Sequence, residues 1–94
     1  MATFLMLGKY SPAGLRKISP DRTAKAINLV KKLGGKIHSM HALLGEYDLV
    51  FLVDFPGNTQ AMEASLALFK LSEISFNTYP AMEVKQFDKL TSTR

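Results

Sequence analysis

The chain has 94 residues and no cysteine, which fits one domain and excludes disulfides, thiolate metal sites and a thiol nucleophile. An apolar share of 47% against 21% charged residues is a globular balance and excludes a disordered chain. The formal charge is +4, but the basic residues are scattered, which reads as solvated helix surface and argues against nucleic-acid binding and against a membrane patch.

The stretch Thr3 to Gly8 is too short for a signal-peptide core or a membrane span, so the expected location is cytoplasmic. Phe4 to Leu7 is a run of large apolar residues, suited to a strand buried on both faces. Ser11-Pro12 and Ser19-Pro20 each set a good N-cap before a proline at the first helical position. They predict a short helical piece over Pro12–Ile18 and a longer helix over Pro20–Leu33. On the longer helix Thr23, Ala26, Ile27, Val30 and Leu33 form an apolar side, with Asp21, Lys25, Asn28 and Lys32 opposite and Arg22 at the border. Gly34-Gly35 stops it, because glycine takes the left-handed conformation after a helix without steric cost.

Lys36 to Leu44 reads as a more polar strand, and Tyr47 to Phe55 as the strongest strand in the chain. Gly45 between them predicts a hairpin turn with positive φ. After Pro56-Gly57, Asn58 or Thr59 is expected to cap a helix running to Leu71. Its expected core face is Ala61, Met62, Ser65, Leu66, Leu68 and Phe69. Ile74 to Met82 is a last strand whose Pro80 suits a sheet edge, and the tail from Gln86 is expected to fray.

The order β-α-β-β-α-β predicts an α+β domain over 1–94, a four-stranded antiparallel sheet with both helices on one face. The first and third strands, apolar on both faces, belong at its centre. Two helices cover one face only. Four or five large apolar side chains left on the other would each forfeit about 1.5–3 kcal/mol. A second copy packed face to face removes that cost, so a homodimer is expected, with an interface above roughly 1,200 Å².

FLMLGKYS at 4–11, Gly14, Asp21-Arg22, Gly34-Gly35-Lys36, GEYDLV at 45–50, Asp54, Pro56, Thr78 and Pro80-Ala81-Met82, taken together, resemble the GYD domain family; PAMEVKQF at the end is less typical of it. The resemblance implies a ferredoxin-like domain of the dimeric α+β-barrel kind and no defined activity. His41 to Val53 also resembles the effector-binding domain of the feast/famine amino-acid-responsive regulators, whose equivalent turn helps form a small-molecule site at subunit contacts. No helix-turn-helix is read ahead of that segment here.

The candidate ligand site is the turn Gly45, Glu46, Tyr47 and Asp48, or the dimer cleft beside it, with Arg22 and His41 as further contacts. Backbone N–H groups and Asp48 suit the amino or carboxylate group of a small ligand; equally, Gly45 and Asp48 suit a purely structural hairpin. Arg22 suits a carboxylate, that of Asp48 or of a ligand, and otherwise a snorkelling surface position. His38 and His41, three apart on a strand, should face opposite sides, which argues against their sharing a metal. Tyr10, Tyr47 and Tyr79 suit a cleft or simple packing. No metal site, cofactor motif or catalytic constellation is read. The preferred function is a small-molecule-binding homodimer; the alternatives are a cofactor-independent monooxygenase or isomerase, and a purely structural or interaction module.

Overall fold

A computed structural model describes residues 1–92 of the chain. Strand β1 (Ala2–Tyr10) alternates: Phe4, Met6 and Gly8 are buried, while Leu5 and Leu7 turn to the opposite face. Helix α1 (Pro12–Arg16) and helix α2 (Pro20–Lys32) begin as their Ser-Pro pairs demand. The Ser11 hydroxyl accepts from the Gly14 N–H at 2.9 Å, and the Ser19 hydroxyl accepts from the Arg22 N–H at 3.1 Å. Leu33 closes α2, and Gly34 follows at φ 79°, the left-handed stop expected of it.

Strand β2 (Lys36–Ala42) and strand β3 (Leu49–Phe55) are shorter than the sequence suggests, because residues 43–48 form a six-residue loop rather than a tight turn. A two-residue hairpin needs positive φ, but a longer loop spreads the reversal over more residues. Gly45 accordingly does not have positive φ, contrary to expectation; Gly34 is the glycine that does among the described residues.

Helix α3 (Asn58–Ser72) has Gly57 at its cap position with no side-chain cap bond, so neither Asn58 nor Thr59 plays that part. It ends at Glu73, which is left-handed at φ 57°. Strand β4 (Ile74–Ala81) follows and places Pro80 on a sheet edge. The expected frayed tail is instead helix α4 (Val84–Ser92), started by the Glu83 carbonyl accepting from Gln86 and Phe87. Its Val84, Phe87 and Leu90 recur on one side and remain exposed.

The sheet order is β2-β3-β1-β4, antiparallel throughout, with the apolar strands β1 and β3 central. Helices α2 and α3 cover the face carrying Phe4, Met6, Phe51, Val53 and Phe55, and the core lies between. This is the ferredoxin-like α+β arrangement. On α2, Ala26 and Val30 are buried while Thr23 is exposed, its hydroxyl donating to the Ser19 carbonyl. On α3 the buried face is Ala61, Ala64, Leu68 and Ser72, with Met62, Leu66 and Phe69 turned outward. Helix α3 is apolar on most sides, so counting apolar residues does not select a face. Alanine lets the helix sit close to the sheet, and Ser65 secures it with a 2.6 Å hydrogen bond to Thr78 on β4. No helix among the described residues is long and apolar enough to cross a membrane.

Candidate functional site

A cavity of about 180 Å³ lies at the end of the sheet where β1 leads into α1 and α3 leads into β4, with the start of α2 on its helix side. Its strand-side lining comes from Met40, Leu49, Phe51 and Phe76, and Leu68 of α3 forms a wall. Ala26 and Ile18 close it from the helix side, and Tyr10 and Arg22 stand at its polar margin.

Arg22 is held in place by three local features. Its backbone N–H is tied to Ser19, its Nη1 donates to the Gly14 carbonyl, and its guanidinium lies 5.5 Å from the centre of the Tyr10 ring. Gly14 is itself forced: a Cβ there would stand 2.9 Å and 3.0 Å from the carbonyl oxygens of Glu73 and Ser72. Arg22 makes no ion pair with any carboxylate among the described residues; Asp48, the partner the sequence suggested, is engaged elsewhere.

Asp48 joins the β2–β3 loop to β1. Its Oδ2 accepts from the Tyr10 N–H at 2.9 Å, and its own N–H donates to the Gly8 carbonyl at 2.9 Å. Its carbonyl accepts from Leu43 N–H at 2.8 Å. Tyr47 accepts a 3.0 Å hydrogen bond at its hydroxyl from Asn77 on β4. Gly45 and Glu46 are exposed, and nothing lies within 4 Å of where a Gly45 Cβ would be. His41 borders the cavity, although its register opposite Val50 assigns its side chain to the uncovered face of the sheet. Arg22 and His41 thus meet the cavity, Asp48 stands behind it, and Gly45, Glu46 and Tyr47 lie apart from it. Of the tyrosines, Tyr10 lines the cavity and Tyr79 lies on the uncovered face opposite Leu5.

A second polar cluster escaped the sequence reading. The register of β2 slips between Ile37 and Ser39, a β-bulge that upsets simple alternation. His38 consequently reaches Asp54, Nε2 to Oδ2 at 2.8 Å, on the same uncovered face as His41 rather than the opposite one. The two histidines stand three residues apart on β2, at most about 10 Å along the strand. Thr3 completes the cluster, donating its hydroxyl to Asp54 Oδ1 at 2.6 Å. The Thr3 hydrogen bond, then the His38 ring, hold the Asp54 carboxyl below its ordinary value of 3.8. No group of three or more His, Asp or Glu able to hold a metal occurs among the described residues.

The fold and this geometry define a small ferredoxin-like α+β domain with one apolar, arginine-edged cavity. The GYD domain model matches residues 4–91, and the chain belongs to the GYD domain family. No curated protein matches it. Among solved structures it is similar to the crystal structure of the Mycobacterium tuberculosis leucine response regulatory protein LrpA, with a TM-score of 0.58 at 10% identity. That similarity covers 87% of this chain and 51% of LrpA, so the chain spans about half of that protein's length, and what the two share is the fold.

Proposed function

We propose that this chain is a cytoplasmic ligand-binding domain that works as a homodimer, with the ligand in the cavity beneath α2. The cavity carries the reading: an apolar space of about 180 Å³ exceeds the roughly 150 Å³ that suffices to take up benzene in an engineered protein core. A leucine response regulatory protein with a similar fold agrees with a ligand-responsive role. The Gly45–Asp48 turn then acts as a support, Asp48 fastening the loop and β1 behind Tyr10.

The dimer reading rests on the uncovered face. Leu5, Leu7, Val50 and Leu52 form its centre in direct register and are only half-buried, with Tyr79 beside them at 47% exposure. A second copy on this face buries them all. Light scattering should give twice 10.4 kDa at micromolar concentration, and Leu5→Glu should return the chain to 10.4 kDa. A wild-type monomer would remove the dimer from the proposal.

The binding half is tested by filling the cavity. Ala26→Leu adds bulk at a buried position that lines the cavity, so the variant, once circular dichroism shows it folded, should lose any thermal stabilisation that a metabolite panel confers on wild type. The enzyme alternative draws on the Asp54-oriented His38. That pair sits across the sheet from the cavity, whereas Tyr10, Arg22 and His41 are the polar residues that border the cavity itself.

A further inference from the structure

We infer that the cavity takes a small monocarboxylate with an apolar body and no ammonium group, its carboxylate seated on Arg22. This rests on the cavity being the ligand site and adds the chemical class of what enters it.

The charge comes first. Arg22 is the permanently charged side chain in the lining, and a guanidinium offers five N–H donors, of which one is spent on the Gly14 carbonyl. It has no carboxylate partner among the described residues. Its stem and fork are already ordered by Ser19, Gly14 and the Tyr10 ring, so an arriving anion need not immobilise it. A planar fork matches a carboxylate with two parallel hydrogen bonds. The N-terminal turn of α2, which holds Arg22, adds the positive end of the helix dipole at the same margin.

The body of the ligand follows from the interior. Beyond Arg22 the lining includes Met40, Leu49, Phe51, Leu68 and Phe76, with Ser72 its buried polar side chain and the exposed Thr23 and His41 also bordering it. The Ser72 hydroxyl is already committed, donating to the Leu68 carbonyl at 2.6 Å and accepting from the Ile74 N–H at 3.4 Å. A polar group carried past the margin, among Met40, Phe51, Leu68 and Phe76, would give up water for apolar neighbours and a Ser72 hydroxyl already in use. The volume suits a phenyl ring or a branched chain of similar bulk.

The missing ammonium follows from what the lining lacks. No aspartate or glutamate lines the cavity. Asp48 is turned to the Tyr10 N–H, and Glu73 pairs with Lys17 at 3.0 Å. An amino acid would therefore bring a cation beside Arg22 with nothing to balance it.

The test is a calorimetric and NMR titration of the whole chain with 3-phenylpropionate, its amide, L-phenylalanine and benzene. In wild type the acid should bind at least about tenfold more tightly than the amide and than phenylalanine, since bonds to a charged group and an unpaired buried charge are each worth that much. All four should shift the signals of Leu49, Phe51 and Leu68. Arg22→Gln should erase the advantage of the acid over the amide, Arg22→Lys should restore part of it, and benzene binding should be unchanged in both. Equal affinities for acid and amide, or a preference for phenylalanine, would overturn the ligand class and leave the cavity as a binding site. Absence of any shift at Leu49, Phe51 and Leu68, with benzene included, would overturn the cavity reading and this inference with it.

Discussion

Asp48 Oδ2 accepts a hydrogen bond from the backbone N–H of Tyr10 at 2.9 Å, joining two residues 38 positions apart. This bond holds the six-residue loop against the end of β1 and sets the strand position from which the Tyr10 ring meets Arg22. Asp48→Ala should cost about 1–3 kcal/mol, because a part-buried donor is left without its acceptor. Asp48→Asn keeps an acceptor oxygen and should cost less than Asp48→Ala. Urea unfolding of the two variants measures the difference, and equal losses would mean that Asp48 acts through its charge alone.

Two glycines should respond in opposite ways to a methyl group. At Gly45 a Cβ meets nothing within 4 Å and φ is not left-handed, so Gly45→Ala should change stability by no more than about 0.5 kcal/mol. At Gly14 the Cβ would strike two backbone carbonyls at the end of α3, which cannot rotate away. Gly14→Ala should cost about 1–3 kcal/mol and should also weaken whatever Arg22 binds, since the Gly14 carbonyl holds its guanidinium. Thermal melts report the first effect, and the 3-phenylpropionate titration reports the second.

Glu73 is left-handed without being glycine. Its ion pair with Lys17 is exposed on both sides and contributes little. Glu73→Gly should therefore raise stability by about 0.5–1 kcal/mol, the relief of the strained conformation exceeding the greater freedom of glycine in the unfolded chain. A lower melting temperature would show that the Lys17 contact matters more than the backbone.

The pH dependence of folding should carry the signature of Asp54. Its folded-state pKa lies below the ordinary 3.8, so the unfolded chain binds the proton more readily. The stabilisation is present above the unfolded value and is lost as pH falls through the folded one. Asp54→Asn should therefore be less stable than wild type at neutral pH, with the gap closing below about pH 4. Thr3→Val, which removes the largest cause of the shift, should close part of the gap at neutral pH. Parallel urea titrations at several pH values would show it, and a gap independent of pH would exclude the carboxylate as its source.

The architecture was legible because its signals are local. Two Ser-Pro pairs, Gly34, and strands apolar on both faces determine the helix starts, a helix stop and the sheet centre. Less legible were features decided by contact. Helix α3 is apolar on most sides, and only its close approach to β4 selects alanine over Met62, Leu66 and Phe69. The β2 bulge that brings His38 to Asp54 leaves no mark in a period-two reading. Arg22 was conspicuous as a border residue, but its use of the Gly14 carbonyl rather than Asp48 depends on how α1 packs against the end of α3. Helix α4 was missed because the segment is short and its apolar side is narrow.

The two sheet edges carry different interruptions, and together they bear on growth. Strand β2 is kinked by its bulge, and β4 offers Pro80, which has no N–H to give. An incoming strand finds neither edge a continuous template, so edge-to-edge stacking into fibres is disfavoured. The uncovered apolar face can still be satisfied once, by one neighbour whose own face is consumed in the same contact. The homodimer proposed above would therefore pair without propagating.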